Sequence, residues 1–220
     1  MVWAVGNLGT PVDADNADVT PTLPTHNEGD ILIAVAAIRG PGAGSDNVSE
    51  SGATWTELLD LNGIGIFGKV AGASEGNPTF QFTGGSAGHT TIGWVMQTTG
   101  GSLTTEDSNS LNNAVDTDVP YPTLTIGTDD CLLVEAALIF DNLNVTPHPA
   151  GYTEDLDYTT ATGLDACLSV VHLIQTTAAN TTAHSGTISA PVNSDSVAIA
   201  LRQASASGSH TGGMMMMGVG

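Results

Sequence analysis

Positive charge is almost missing from this chain. Only Arg39, Lys69 and Arg202 face 23 acidic residues, and the formal net charge is −20. Nucleic-acid binding needs clustered Lys and Arg that neutralise phosphates and release counterions, so no nucleic-acid partner is expected. Repulsion among the carboxylates opposes compaction and is screened over about 8 to 10 Å in physiological salt. A salty medium would suit such a chain, and acidic loops would keep an assembly subunit in solution before it docks. Cysteine is scarce too. Cys131 and Cys167 sit in apolar runs without metal-motif spacing, which predicts buried free thiols. Three Trp, three Tyr and four Phe leave little material for a sugar-stacking surface. No run approaches the roughly 18 apolar residues of a membrane-spanning helix, and Met1-Val2-Trp3-Ala4-Val5-Gly6 lacks the basic and long apolar regions of a signal peptide. The expectation is a soluble protein made in a cytoplasm, with no membrane insertion. Asn47, Asn144 and Asn180 match the glycosylation pattern, which carries little meaning without secretion.

What is present is turn chemistry and β-branched apolar residues. Short apolar runs alternate with clusters of Gly, Pro, Asn, Asp and Ser, the pattern of strands joined by turns. Strands are predicted over 2–6, 19–23, 30–38, 54–60, 64–71, 79–83, 90–98, 120–126, 130–140, 152–157, 165–175, 183–189 and 195–203. The runs beginning at Ile31 and Cys131 contain enough Ala and Leu to allow helix, yet both are short and bounded by turn residues. Strand is the better reading of each.

The two halves of the chain resemble one another in order. Pro21-Thr22-Leu23 lies over Pro122-Thr123-Leu124, and the run starting at Gly29 lies over that starting at Asp129. Trp55-Thr56-Glu57-Leu58-Leu59-Asp60 lies over Tyr152-Thr153-Glu154-Asp155-Leu156-Asp157, and Ile92 to Met96 over Val197 to Leu201. The prediction is an all-β, two-sheet β-sandwich, jelly-roll-like, with an internal duplication of about 100 residues. A single domain would span 1–203, with repeat halves near 1–100 and 114–203 and Ser102 to Asn113 as a crossover loop or linker. Residues 204–220 read as a flexible C-terminal arm. Its tip, Met214, Met215, Met216 and Met217, is adaptable apolar material suited to an assembly contact.

No motif makes a strong case for catalysis. Gly84-Gly85-Ser86-Ala87-Gly88 fits G-x-S-x-G, but a strand-like segment follows where a nucleophile elbow needs a helix. The six histidines, His26, His89, His148, His172, His184 and His210, are scattered singly, so no zinc motif is read; His172 is expected to be a satisfied, partly buried side chain. Asp13 to Asp18 offers oxygen ligands suited to calcium but lacks the glycine and bidentate glutamate of an EF-hand. Glu57, Glu135 and Glu154 are strand residues that could serve as paired carboxylates of a glycosidase, though aromatics are few. No catalytic residue, metal ligand or cofactor is assigned, and binding residues other than the methionine tip are left open.

Around the Trp/Tyr-Thr-Glu repeat the chain resembles a family of virion structural or tail proteins encoded by tailed bacteriophages. The resemblance rests on Pro24 with Gly29-Asp30-Ile31-Leu32, on Ala53-Thr54-Trp55-Thr56, on Gly68-Lys69-Val70-Ala71, on Pro149-Ala150-Gly151-Tyr152-Thr153, and on Ala200-Leu201-Arg202. Tyr152 departs from the family's second Trp, and the methionine tip has no counterpart in it. The resemblance implies a sandwich on the particle exterior, as tail fibre or adhesin or as a capsid decoration protein. Other virion proteins would be its partners, homotrimers are common, and no active-site residues carry over. The alternative is a carbohydrate-binding module for host surface glycans.

Overall fold

The computed structural model describes residues 2–40, 47–83 and 88–203. Most of the G-x-S-x-G stretch and the whole arm 204–220, with Met214 to Met217, lie outside the described residues. The described residues form thirteen strands and no helix: β1 (Ala4–Leu8), β2 (Val12–Asp15), β3 (Ile31–Arg39), β4 (Asn47–Glu50), β5 (Thr56–Leu61), β6 (Ile64–Val70), β7 (Phe80–Thr83), β8 (Thr90–Thr99), β9 (Gly101–Tyr121), β10 (Cys131–Ile139), β11 (Thr153–Thr160), β12 (Ala166–Gln175) and β13 (His184–Gln203).

The first sheet has the order β1-β8-β3-β6-β5, with β2 also on β8, and the second has the order β11-β12-β10-β13-β9. All pairings are antiparallel. The sheets pack face to face, as expected for a two-sheet sandwich. Ile31, Ile33, Val35, Ile66, Trp94 and Met96 of the first sheet share one core with Leu132, Val134, Ala136, Leu168, Ile199 and Leu201 of the second. The winding adds a finding that the jelly-roll expectation did not contain: the chain completes one sheet before it begins the other.

The central strands explain their own ambiguous composition. Every residue of β3 up to Ile38 and every residue of β10 is buried. On β3 the odd positions enter the shared core, while Leu32, Ala34, Ala36 and Ile38 face an outer cluster with Val48, Trp55, Phe67 and Phe80. A strand covered on both faces shows no apolar/polar alternation, so its sequence reads as a continuous apolar run. Full burial of a Val, Leu or Ile contributes about 1.5–3 kcal/mol, against about 0.5–1.5 for one hydrogen bond. The cores therefore decide the fold, and the polar contacts refine it.

Turn residues act where the chain must reverse. Asn62 and Gly63, with φ of 55° and 71°, form the two-residue link of the β5–β6 hairpin, whose flanking pair is Leu61 and Ile64. Positive φ at both central residues matches the twist of the strands, and Asn-Gly tolerates it best. Gly100, at φ 86°, connects the two sheets. A Cβ built on the next residue, Gly101, would lie 1.7 Å from the Trp3 ring.

Several predicted boundaries need correction. Ser102 to Asn113 is neither linker nor crossover loop but part of β9, an edge strand, and the sheets are joined at Gly100 instead. Its polar sequence follows from its position: among the described residues β9 pairs only with β13, and its residues are partly or fully exposed up to Asp118. Residues 19–23 make only isolated bridges, and 120–126 is strand only at its start. Strands β2 and β4 were not predicted, and 183–189 and 195–203 belong to one continuous β13.

The two sheets can be laid over each other by their hydrogen bonding. β5 carries a bulge between Glu57 and Leu59, and β11 carries one between Glu154 and Leu156. Three residues on, Asp60 accepts the backbone N–H of Val48, and Asp157 accepts that of Val145. Burial pushes both carboxyls up, Asp60 to about 6. Counting from the bulges through Leu59–Ile66–Val35 and Leu156–Val170–Ala136 sets Val35 on Ala136, and hence Ala34 on Glu135. The sequence alignment, which set Val35 on Glu135, is displaced there by one residue, and a one-residue slip exchanges the two faces of a strand.

Gly101→Ala should destabilise the protein by about 1–3 kcal/mol, because the methyl must displace the Trp3 ring. Gly76→Ala, at a site with nothing within 4 Å, is the control. Urea midpoints measured on both variants check this; equal midpoints would show that the Trp3 contact tolerates a side chain.

Candidate site around a buried glutamate

A lone glutamate inside the apolar run of β10 requires an explanation. Glu135 is 0 % exposed, on the central strand of the second sheet and on its outer face. An unpaired buried carboxylate would cost several kcal/mol. Tyr152 donates its hydroxyl to Glu135 Oε1 at 2.8 Å, and His184 Nε2 lies 2.8 Å from Oε2. His184 Nδ1 lies 2.6 Å from the carbonyl oxygen of Thr182, which can only accept, so Nδ1 carries a proton. The imidazole stacks between Tyr121 and Tyr152, at centroid distances of 5.8 and 4.9 Å.

Each partner is delivered by a different element. Tyr152 lies just before β11, His184 opens β13, and Tyr121 closes β9 opposite it. Two surface hollows share His184 as a wall. One, of about 490 Å³, is bordered by Asn112, Asn113, Asp116, Asp118 and Ser185; the other, of about 240 Å³, is bordered by Tyr152, Leu173, Gln175 and Thr182.

The first half of the chain shows that the fold does not require this cluster. At the place of Glu135 it has Ala34, and at the place of Tyr152 it has Trp55, both in an apolar outer cluster with Phe80. An apolar solution therefore exists within the same architecture. The polar one confers a defined hydrogen-bond geometry and a held proton at the junction of two hollows.

Other sequence-level candidates fare differently. Glu57 lies exposed on β5 of the first sheet, and Glu135 and Glu154 both stand opposite Val171, on its two sides. Glu135 is fully buried, and neither hollow beside His184 is bordered by Glu135 or Glu154. The acidic stretch Asp13 to Asp18 begins inside β2 rather than forming a loop. Asp13 accepts the hydroxyls of Tyr158 and Thr160 from β11, which clasps the edges of the two sheets. Burial raises the Asp13 carboxyl, but the hydroxyls of Thr160, Thr162 and Tyr158 outweigh it and hold it below the usual range. Asp15 and Asp18 accept from Asn16 and Gln81. His172 is a satisfied side chain, with Nδ1 2.7 Å from Asp155 Oδ2. Cys131 and Cys167 are buried and free.

Sequence reasoning missed His184 and Tyr152 as partners of Glu135. The signal was Glu135 itself, the one charge in a run whose composition implied burial on both faces. His148, read as isolated, also lies beside Glu154 and Asp157 in the fold. Comparison of the chain with protein-family models, with curated proteins and with solved structures gives no match.

The cluster gives stability a defined pH dependence. Burial raises the Glu135 carboxyl above 4.5, and the bond to Glu135 raises His184 above 6.5. Both shifts mean that the folded protein holds a proton which the unfolded chain releases. The associated stability is present at low pH and is lost as pH rises from 4.5, through 6.5 and past the raised His184 value. His184→Ala should cost about 3–5 kcal/mol at neutral pH by stranding Glu135, whereas Glu135→Ala with His184→Leu should recover most of that loss and flatten the slope. Urea titrations from pH 4 to 9 measure both. An unchanged slope in the double variant would remove the pair as its origin.

Proposed function

We propose that this chain is a non-enzymatic structural component of a bacteriophage virion, carried on the particle exterior as tail fibre or adhesin or as capsid decoration. The observation that supports the reading is the open edge of the second sheet. Among the described residues β9 is a 21-residue strand paired on one side only, with Leu111 37 % and Val115 62 % exposed. A strand edge of that length is a template for pairing and is normally covered or charged. Here the exposed Asp116 and Asp118 lie along it, charges that keep free subunits apart until a neighbour covers the edge. The resemblance of the sequence to tailed-phage virion proteins points the same way, as does a rigid body of two sheets with corresponding strand orders. Homo-oligomerisation and docking to other virion proteins belong to this reading.

The glycan-binding alternative has less support. All three Trp are buried and the Tyr and Phe rings are buried or only partly exposed, so the described surface offers no broad aromatic platform for a sugar, with Tyr152 at the wall of the smaller hollow the partly open ring beside His184. The hollow bordered by Asn112, Asn113, Asp116 and Asp118 is the place where a polar ligand would bind.

Quantitative mass spectrometry of gradient-purified particles of the encoding phage tests the proposal, with the major capsid protein as internal standard. Copy numbers in the hundreds mean capsid decoration, a handful mean fibre or adhesin, and absence from the particle overturns the reading. Deletion of 204–220 should leave the sandwich folded and abolish incorporation; normal incorporation would remove the arm as the attachment element.

A further inference from the structure

The structure assigns a binding site for one divalent transition-metal ion of the zinc class to His148, Glu154 and Asp157, on the second sheet beside the β11 bulge. One ligand atom from each lies within 4.8 Å of the other two. Imidazole nitrogen with two carboxylate oxygens is a donor set for zinc and its neighbours in the first transition row rather than for calcium, which takes six to eight oxygens.

The histidine supplies the first argument. Both of its ring nitrogens are buried and neither has a hydrogen-bond partner among the described residues. Nε2 is only 3.1 Å from Glu154 Oε2, yet the two do not meet at a hydrogen-bonding angle. The contact is close enough for an ion pair, but it leaves the nitrogen lone pair and the carboxylate oxygen free to turn to a shared cation. Tetrahedral zinc, with bonds of about 2.0–2.2 Å, wants its ligand atoms roughly 3.3 Å apart. The remaining closure falls to Glu154, whose side chain is 53 % exposed and can turn.

The carboxylate supplies the second. Asp157 is held by outer partners of the kind that orient a metal ligand: the Val145 N–H at 3.1 Å to Oδ2 and the Cys167 thiol at 3.0 Å to Oδ1. Comparison of the halves supplies the third. The first half repeats the bulge, the glutamate and the aspartate as Glu57 and Asp60, with the Val48 N–H on the latter. The residue at the place of His148, three past Val48, is Ser51. The fold thus builds this corner without a histidine, and the second half adds a nitrogen donor between two carboxylates. Three protein ligands leave a fourth position for water, and the ion ties the segment before β11 to that edge strand.

The test is zinc binding to the full chain, followed by competition with a chromophoric chelator at neutral pH. One tight equivalent is expected, with an upward shift in Tm, and Co²⁺ should give visible d–d absorption in its place. His148→Ala should lose that equivalent and the Tm shift while keeping a β-type circular dichroism spectrum. Glu154→Gln should weaken binding at least tenfold, and His26→Ala should leave it intact. Millimolar Ca²⁺ or Mg²⁺ should not displace zinc. Absence of a saturable equivalent, full binding by folded His148→Ala, or displacement by Ca²⁺ each overturns the assignment.

Discussion

The structure depends on two strands that are covered on both faces. Ile31–Arg39 and Cys131–Ile139 each present one face to the shared core and the other to an outer cluster, so each sheet must be clad twice. That need organises the rest of the chain. In the first half the outer cover comes from Val19, from the β4–β7 pair and from Trp55. In the second it comes from Val119, Val145 and Ile188 on one side and from Leu124 and Ile126 on the other. The apolar term in each layer outweighs single polar contacts by a factor of two or more. Apart from a few buried carboxylates such as Glu135, the acidic residues are consequently pressed to the periphery, where three cations cannot balance them: Lys69 pairs with Glu75 and Arg202 with Glu106, and Arg39 lies over the Phe140 ring.

Within that frame the two halves act as controls for each other. Where both have the same solution, such as the aspartate that receives a valine N–H after the bulge, the feature belongs to the architecture. Where they differ, the difference is not demanded by folding. Ala34 against Glu135 and Ser51 against His148 are such differences, and both place ionisable groups on the outer face of the second sheet or at its edge. The chemistry of the molecule is therefore one-sided, although its skeleton is nearly repeated.

Fold class was legible in the sequence because turn residues bracket the strands: Asn62-Gly63 marks a hairpin by the φ values only those residues accept readily. Strand β9 was not legible, since an exposed edge strand carries the polar composition of a loop. Face register was not legible either. Composition shifts only slightly when a doubly buried strand slides by one residue, so Cys131 and Leu132 look equally suited to the place of Ile31. For the site, Glu135 was visible as an anomaly while its partners were not. Tyr152 is 17 positions away and His184 is 49, and local patterns carry no information over such separations. His148 looked solitary for the same reason.

The passage at Gly100 has a bearing on synthesis. Every strand of the first sheet precedes it and every strand of the second follows, so a ribosome finishes one sheet before starting its cover. Strands β1 to β8 can pair as soon as they emerge. Their inner face, with Ile33, Val35, Trp94 and Met96, then stays wet until β10 and the distal part of β13 arrive. For the time needed to make roughly a hundred more residues, at about 5–20 per second, the nascent chain displays an uncovered apolar sheet face. The acidic residues of its turns and edges are what that half-molecule has to keep neighbouring chains from stacking upon it.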